Sequence, residues 1–294
     1  KPNRRKIITS RVEHPAVLEV CRYLESDGFS ITYLPVDETG RVNVESVQDA
    51  VRPDTILITI MYANNEVGTI QPIADIAAAA EQNGILMHTD AAQCPGKIPV
   101  RVDELGVSLL SIAGHKLYAP KGVGALYIRE GVELAPFCHG AGQESGRRAG
   151  TENVLEIVGL GKACEIADRD LQGTSVHMAR LRDRLESGLL SAADPARVNG
   201  HPTRRLPNTL SISFHNLEAN RILEEIGLSV AASAGAACHS DTVEISHVLT
   251  AMGIDPDWAK GTLRFTTGRM TTTEEIDRTI DIVAAGVQKL RGVA

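Results

Sequence analysis

Apolar residues along the first half of the chain come in short runs separated by segments of helical spacing. Runs of strand length stand at 6–10, 30–34, 55–61, 84–86, 107–112 and 122–128, each bounded by turn residues. Between them Val17, Leu18, Val20, Cys21 and Leu24 recur at helical spacing over 15–25. A short helix is predicted over 44–51, and the Ala-rich stretch 73–83, opened by Pro72, reads as another. Alternation of this kind predicts an α/β unit whose mostly parallel sheet is flanked by helices. In such sheets a ligand lies beyond the carboxyl ends of the strands.

The second half reads differently. Residues 140–150 form a polar, Gly-rich loop, and helical patterns follow over 152–168 and 176–191. Past Pro195 the pattern predicts a half-exposed strand over 210–214, a helix over 218–226 and a strand over 228–232. Residues 233–240 are almost all Ala, Gly and Ser around Cys238, which predicts a mobile loop. A cap at Thr272-Thr273-Glu274-Glu275 starts a last helix through Ile276, Ile280, Val283, Val287 and Leu290. The expected division is a large domain over 1–168, then an inter-domain helix and a small α+β domain over 169–294.

Composition narrows the function classes. The 294 residues are 43% hydrophobic, enough for a large core, and carry a net charge of -7. Lys and Arg form no block beyond the pairs Arg147-Arg148 and Arg204-Arg205, which argues against nucleic acid as a direct partner. Since no apolar run approaches the roughly 20 residues of a membrane span and no leader opens the chain, no membrane partner and a cytoplasmic location are expected. The five cysteines, Cys21, Cys94, Cys138, Cys164 and Cys238, lack the spacing of metal sites and are odd in number, so neither a metal nor a disulfide framework is expected. Cys21 and Cys164, inside helix-period patterns, read as core.

Two phrases carry chemistry. His88-Thr89-Asp90-Ala91-Ala92-Gln93 and Gly114-His115-Lys116 both stand where strand runs end. A carboxylate at one strand end and an amine at the next suit pyridoxal phosphate, which needs a protonated pyridine nitrogen and a Schiff-base lysine. Taken singly, Asp90 reads as a helix N-cap, Lys116 as a solvated lysine after a turn and His14 as a capping or surface histidine.

Read together with Thr9-Ser10-Arg11-Val12-Glu13-His14, Asn64-Asn65-Glu66-Val67-Gly68, Arg148-Ala149-Gly150-Thr151 and Gly235-Ala236-Ala237-Cys238-His239-Ser240, these phrases resemble the cysteine desulfurases in content and order. Those enzymes, and the selenocysteine lyases that share the pattern, are relatives of the class V aminotransferases. The resemblance implies pyridoxal 5'-phosphate as cofactor. Lys116 is then its Schiff-base lysine and the base at the substrate Cα, Asp90 the partner of the pyridine nitrogen, and Gln93 the partner of the ring's phenolic oxygen. His14 stacks on the ring and moves protons, Asn65 contacts the ring oxygen or substrate carboxylate, and Arg264 takes that carboxylate. His115 binds the phosphate, while Thr151 reaches the phosphate of a neighbouring subunit, which implies a homodimer.

By the same resemblance Cys238 attacks the sulfur of L-cysteine, leaving L-alanine and a persulfide for a sulfur-acceptor protein. Cys94, close to Asp90, is the second thiol to test. The sequence departs from the family at Ala113, where many members have a phosphate-binding serine. Members also carry roughly 90 residues ahead of this start, with a Gly-Ala-Thr-Glu turn that grips the phosphate through backbone N–H groups. Reduced phosphate affinity in the chain as given is therefore expected. Two alternatives stay open: a selenocysteine lyase, and a non-catalytic scaffold that docks a sulfur acceptor.

Overall fold

The computed structural model describes residues 5–239 and 242–292, with side chains over 5–235 and 245–292. The first unit runs β1 (Lys6–Ser10), α1 (Pro15–Ser26), β2 (Ser30–Leu34), α2 (Val44–Ala50), β3 (Thr55–Thr59), α3 (Ile73–Gln82), β4 (Leu86–Asp90), α4 (Val102–Leu105), β5 (Leu109–Ala113) and β6 (Gly124–Ile128). These strands form one sheet in the order β2-β1-β3-β4-β5-β6. All neighbours are parallel except β5 and β6. The reversal follows from chain length, because the segment between β5 and β6 is too short to make the crossover that a parallel neighbour needs. Ile8, Ile58, Ile60, Ile76, Met87 and Val107 pack the core against this sheet.

Helix α5 (Val154–Ala192) is a single helix of 39 residues, where the periodicity predicts two. The expected division at residue 168 thus falls inside it. The apolar pattern lapses between the two halves because α5 serves two cores. Leu160 and Ala163 pack on Leu117 in the first unit, and Leu181, Leu185 and Leu189 pack in the second. Gly173 in the interval weakens the helix by only about 1 kcal/mol relative to alanine, which packing at both ends overcomes.

The second unit comprises β7 (Ala196–Asn199), β8 (Thr209–Phe214), α6 (Ala219–Ile226), β9 (Ser233–Ala234), β10 (Ala236–His239), β11 (Thr242–Ile245), α7 (His247–Ala251), α8 (Pro256–Ala259), β12 (Thr262–Thr266) and α9 (Thr273–Leu290). An antiparallel sheet in the order β7-β8-β12-β9 packs on α5, α6 and α9. The capping box at Thr272 and Glu275 forms as its sequence predicts.

Three expectations here are corrected. Strand β8 is buried at every position rather than half-exposed. Its polar face is tolerated inside because Ser213 Oγ accepts from Asn199 Nδ2 at 2.8 Å and shares a hydrogen bond with Thr262 Oγ1 at 2.7 Å. Residues 228–232 form no strand: a 3-10 turn over Gly227–Ser229 leaves Leu228 fully exposed, and pairing begins only at Ser233. Finally, Cys238 lies on a strand and not in a loop, since β10 and β11 form an antiparallel pair with Cys238 opposite Val243. Small side chains withhold packing, but a backbone ladder needs none. The Cys238 side chain lies outside the described ones.

Candidate active site

Four adjacent strands of the large sheet, β1, β3, β4 and β5, deliver side chains to the same carboxyl edge. The turn after β1 carries Glu13 and His14, the loop after β3 carries Asn64 and Asn65, β4 ends at Asp90, and a 3-10 turn after β5 (Gly114–Leu117) carries His115 and Lys116. His14, Asn65, Asp90, Gln93, His115 and Lys116 line one cavity of about 400 Å³. A neighbouring cavity of about 300 Å³ shares Asn65, Gln93 and Lys116 and adds Arg264 from β12 of the second unit. Thr151 lines neither cavity and is exposed near the start of α5.

Local structure sets each orientation. His14 caps α1, its Nδ1 accepting from the Ala16 N–H at 3.1 Å, with Pro15 as the first helical residue. The capping role therefore coexists with a place in the cavity. Asn64 is fully buried and holds its loop: its Nδ2 donates to the Val12 carbonyl at 2.9 Å, while its Oδ1 accepts from the N–H groups of Glu66 and Val67. Asp90 Oδ1 accepts from Ala92 N–H at 2.9 Å. Arg264 spans the two units, donating through Nη1 to the Asn65 carbonyl at 2.7 Å and through Nη2 to Ser233 Oγ at 3.2 Å. Its Nε is buried and unpartnered, so that N–H is left for a ligand.

Burial tunes the titrating groups. It lowers the pKa of Lys116, with the nearby Arg264 acting in the same direction, so a neutral amine is more accessible than in water. His14 is also lowered, first by burial and then by Lys116. Cys94 is wholly buried, and burial raises its thiol far above the usual range. A thiolate is disfavoured there, which removes Cys94 as the second thiol.

Three residues that sequence reasoning left without a role belong to this edge. His88 lies under the site with Nδ1 at 2.8 Å from Thr59 Oγ1 and Nε2 at 2.9 Å from Ser111 Oγ, its pKa lowered by burial. Its position two residues before Asp90 on a strand was the available signal, since alternate residues share a face. Lys97 donates from Nζ to the Lys116 carbonyl at 3.0 Å. Glu13 is fully buried beside His14, accepting from Ser10 Oγ at 2.5 Å and from the Met61 N–H at 3.0 Å.

The Aminotransferase class-V family profile matches residues 1–279. The chain is 49% identical over 289 residues to the cysteine desulfurase IscS of Methanosarcina thermophila, covering 98% of this chain and 71% of that protein. It belongs to the cysteine desulfurase family. Against the cysteine desulfurase NifS of Azotobacter vinelandii identity is 45%, over 100% of this chain and 73% of the relative. A solved NifS-like protein superposes with a TM-score of 0.90 at 40% identity, covering 97% of this chain and 75% of that one. The chain thus spans roughly three quarters of its relatives' length.

Cysteine desulfurases of this family depend on pyridoxal phosphate, and the donor set fits that group. A carboxylate, a partly desolvated amine, an imidazole and a carboxamide converge on one cavity at the strand ends.

Proposed function

We propose that the chain acts as a pyridoxal phosphate-dependent cysteine desulfurase through Lys116, Asp90, His14, Arg264 and Cys238. The observation that carries this assignment is the convergence of Lys116, Asp90, His14 and Gln93 on one cavity, with the free Nε of Arg264 in the adjoining wall. When bound, pyridoxal phosphate supplies the electron sink that makes the substrate Cα proton removable.

The chain's own residues do the rest. With that group bound, Asp90 would hold the pyridine nitrogen, Gln93 and Asn65 the ring's oxygen side, and His115 the phosphate. Arg264 holds the substrate carboxylate, which fixes the amino acid relative to Lys116. Lys116, its amine favoured by burial, takes the Cα proton onto Nζ, and His14, in the same cavity, moves protons. Cys238 as thiolate attacks the substrate sulfur. The substrate Cβ–S bond breaks as an S–S bond forms on Cys238, and protons restored to the carbon skeleton release L-alanine. Cysteine plus thiol thus gives alanine plus persulfide, ready for a sulfur-acceptor protein.

A homodimer is part of this reading. Its support is the exposed apolar side chains on the segments that flank Thr151: Phe137 is 90% exposed, Leu155 79%, and Val154 and Val158 65% each. A nucleophilic thiol also suits a reducing, cytoplasmic setting. The test is a single turnover of holoenzyme with L-cysteine, reading alanine by chromatography and persulfide on Cys238 by mass spectrometry. Cys238→Ser should keep the cofactor's spectral response to cysteine and form neither product. Alanine release by that variant at the wild-type rate overturns the assignment.

A further inference from the structure

The hairpin that carries Cys238 is rooted in the active site by contacts that the assignment above leaves unused. At its outgoing end, Ser246 follows β11 directly and donates from Oγ to Glu66 Oε2 at 2.5 Å. The same oxygen accepts from the Val248 N–H at 3.0 Å, capping α7. Next along, His247 donates from Nε2 to the Glu13 carbonyl at 2.9 Å, which fixes its tautomer. Glu66 directly follows Asn65, and Glu13 directly precedes His14.

The incoming end is held as well. Gly235 N–H donates to the Thr262 carbonyl at 2.8 Å, and Ser246 N–H closes the root by donating to the Gly235 carbonyl at 3.1 Å. A side chain at Gly235 would bring its Cβ to 2.9 Å from Thr262 Cγ2, so this close approach requires glycine. Between root and site lies a cavity of about 520 Å³ walled by His14, Asn65 and Arg264 on one side and Gly235, Ser246 and His247 on the other. Both contacts from the outgoing end to the large sheet, Ser246 to Glu66 and His247 to the Glu13 carbonyl, therefore land on a residue adjacent to one that lines the site.

We propose that the Glu66–Ser246 contact, with His247 on the Glu13 carbonyl, sets where the sulfur-accepting thiol meets the substrate. Glu66, Ser246 and His247 are thus positioning residues for sulfur transfer and not for the cofactor steps. The inference rests on the reading that Cys238 takes the sulfur. Its mechanical basis is leverage. Cys238 stands two residues beyond the root pair Ala236–Ile245, about 7 Å along the strand, so a tilt at the root becomes a displacement of the Cys238 backbone. The Glu66–Ser246 hydrogen bond is charge-assisted and partly buried, which gives the root a defined rest position.

The experiment uses dimeric holoenzyme loaded with pyridoxal phosphate and mixed rapidly with L-cysteine. One readout is the cofactor's absorbance change and its half-saturating cysteine concentration; the other is alanine and persulfide formed per site in one turnover. Glu66→Ala and Ser246→Ala should leave the first unchanged and slow the second by about tenfold or more, as expected for an ångström-scale misplacement. Glu66→Gln, whose carboxamide oxygen still accepts the Ser246 hydroxyl, should return close to the wild-type rate. The double alanine variant should be no slower than the slower single one, because both remove the same contact.

Sulfur transfer at the wild-type rate in both single alanine variants overturns the proposal. A spectral step that falls in parallel with transfer overturns it too, since that marks a general loss of structure. Cys238→Ser is run alongside. Alanine release by that variant at the wild-type rate overturns the underlying assignment, whereas an inactive Cys238→Ser beside a fast Glu66→Ala overturns the positioning role alone.

Discussion

Lys97 Nζ donates to the backbone carbonyl of Lys116 at 3.0 Å, so one half-buried lysine holds the turn that presents the other. Burial pushes Lys97 down to about 8 from 10.5. Between those values the unfolded chain binds more protons than the folded one, so stability from this group rises with pH across that window. Lys97→Met should abolish that rise and change stability at neutral pH by no more than about 1 kcal/mol, because a desolvated charge leaves with the contact. Turnover should still fall by about tenfold, since the Lys116 turn loses its tether. Urea denaturation at pH 7.5 and 9.5, beside a cysteine-to-alanine assay, checks both parts.

Glu13 makes the opposite pH prediction. Burial raises its carboxyl from 4.5 to about 8, against the pull of Ser10 and the Met61 N–H. The folded chain keeps a proton that the unfolded chain releases, so its stabilising contribution is fully present below pH 4.5 and is lost as pH rises through 8. Glu13→Gln mimics the protonated group and should flatten that fall, gaining roughly 2–4 kcal/mol over wild type at pH 8. Denaturation midpoints at pH 5, 6.5 and 8 read the slope directly, and parallel curves for the two proteins contradict the prediction.

Asn64→Ala tests whether a residue outside the cavity sets substrate affinity. The substitution strands the Val12 carbonyl and the Glu66 and Val67 N–H groups. A loss of roughly 2–4 kcal/mol in stability is expected from unpaired buried polar groups. Because Arg264 Nη1 rests on the Asn65 carbonyl, the carboxylate site should shift with the loop and KM for cysteine should rise more than kcat falls. Steady-state kinetics at a temperature where the variant is folded separates the two effects.

Lys116→Ala should reduce desulfuration below about a hundredth of the wild-type rate, since the base at Cα is gone. Added primary amines should restore a fraction of it. A variant that keeps more activity than this would place the base at His14, which lines the same cavity.

Much of this protein is determined locally. Short apolar runs and segments of period 3.6 suffice to predict six strands and the parallel character of the large sheet, although the run at 84–86 meets β4 only at Leu86 because most of that strand, His88-Thr89-Asp90, is polar. They also place Asp90 and Lys116 at strand ends, and the Thr272–Glu275 box starts its helix without outside help. What the tertiary structure alone decided are quantities summed over distant segments. Whether 152–191 is one helix or two depended on which cores its halves reach, and whether 210–214 is half or wholly covered depended on Asn199 and Thr262 arriving beside it. Glu13, His88, Lys97 and Glu66 look in sequence like ordinary polar residues. Their roles come from partners such as Met61, Ser111, Lys116 and Ser246, which only folding brings within hydrogen-bonding distance. Periodicity tells which way a side chain faces, but burial and partnership depend on what is packed against it.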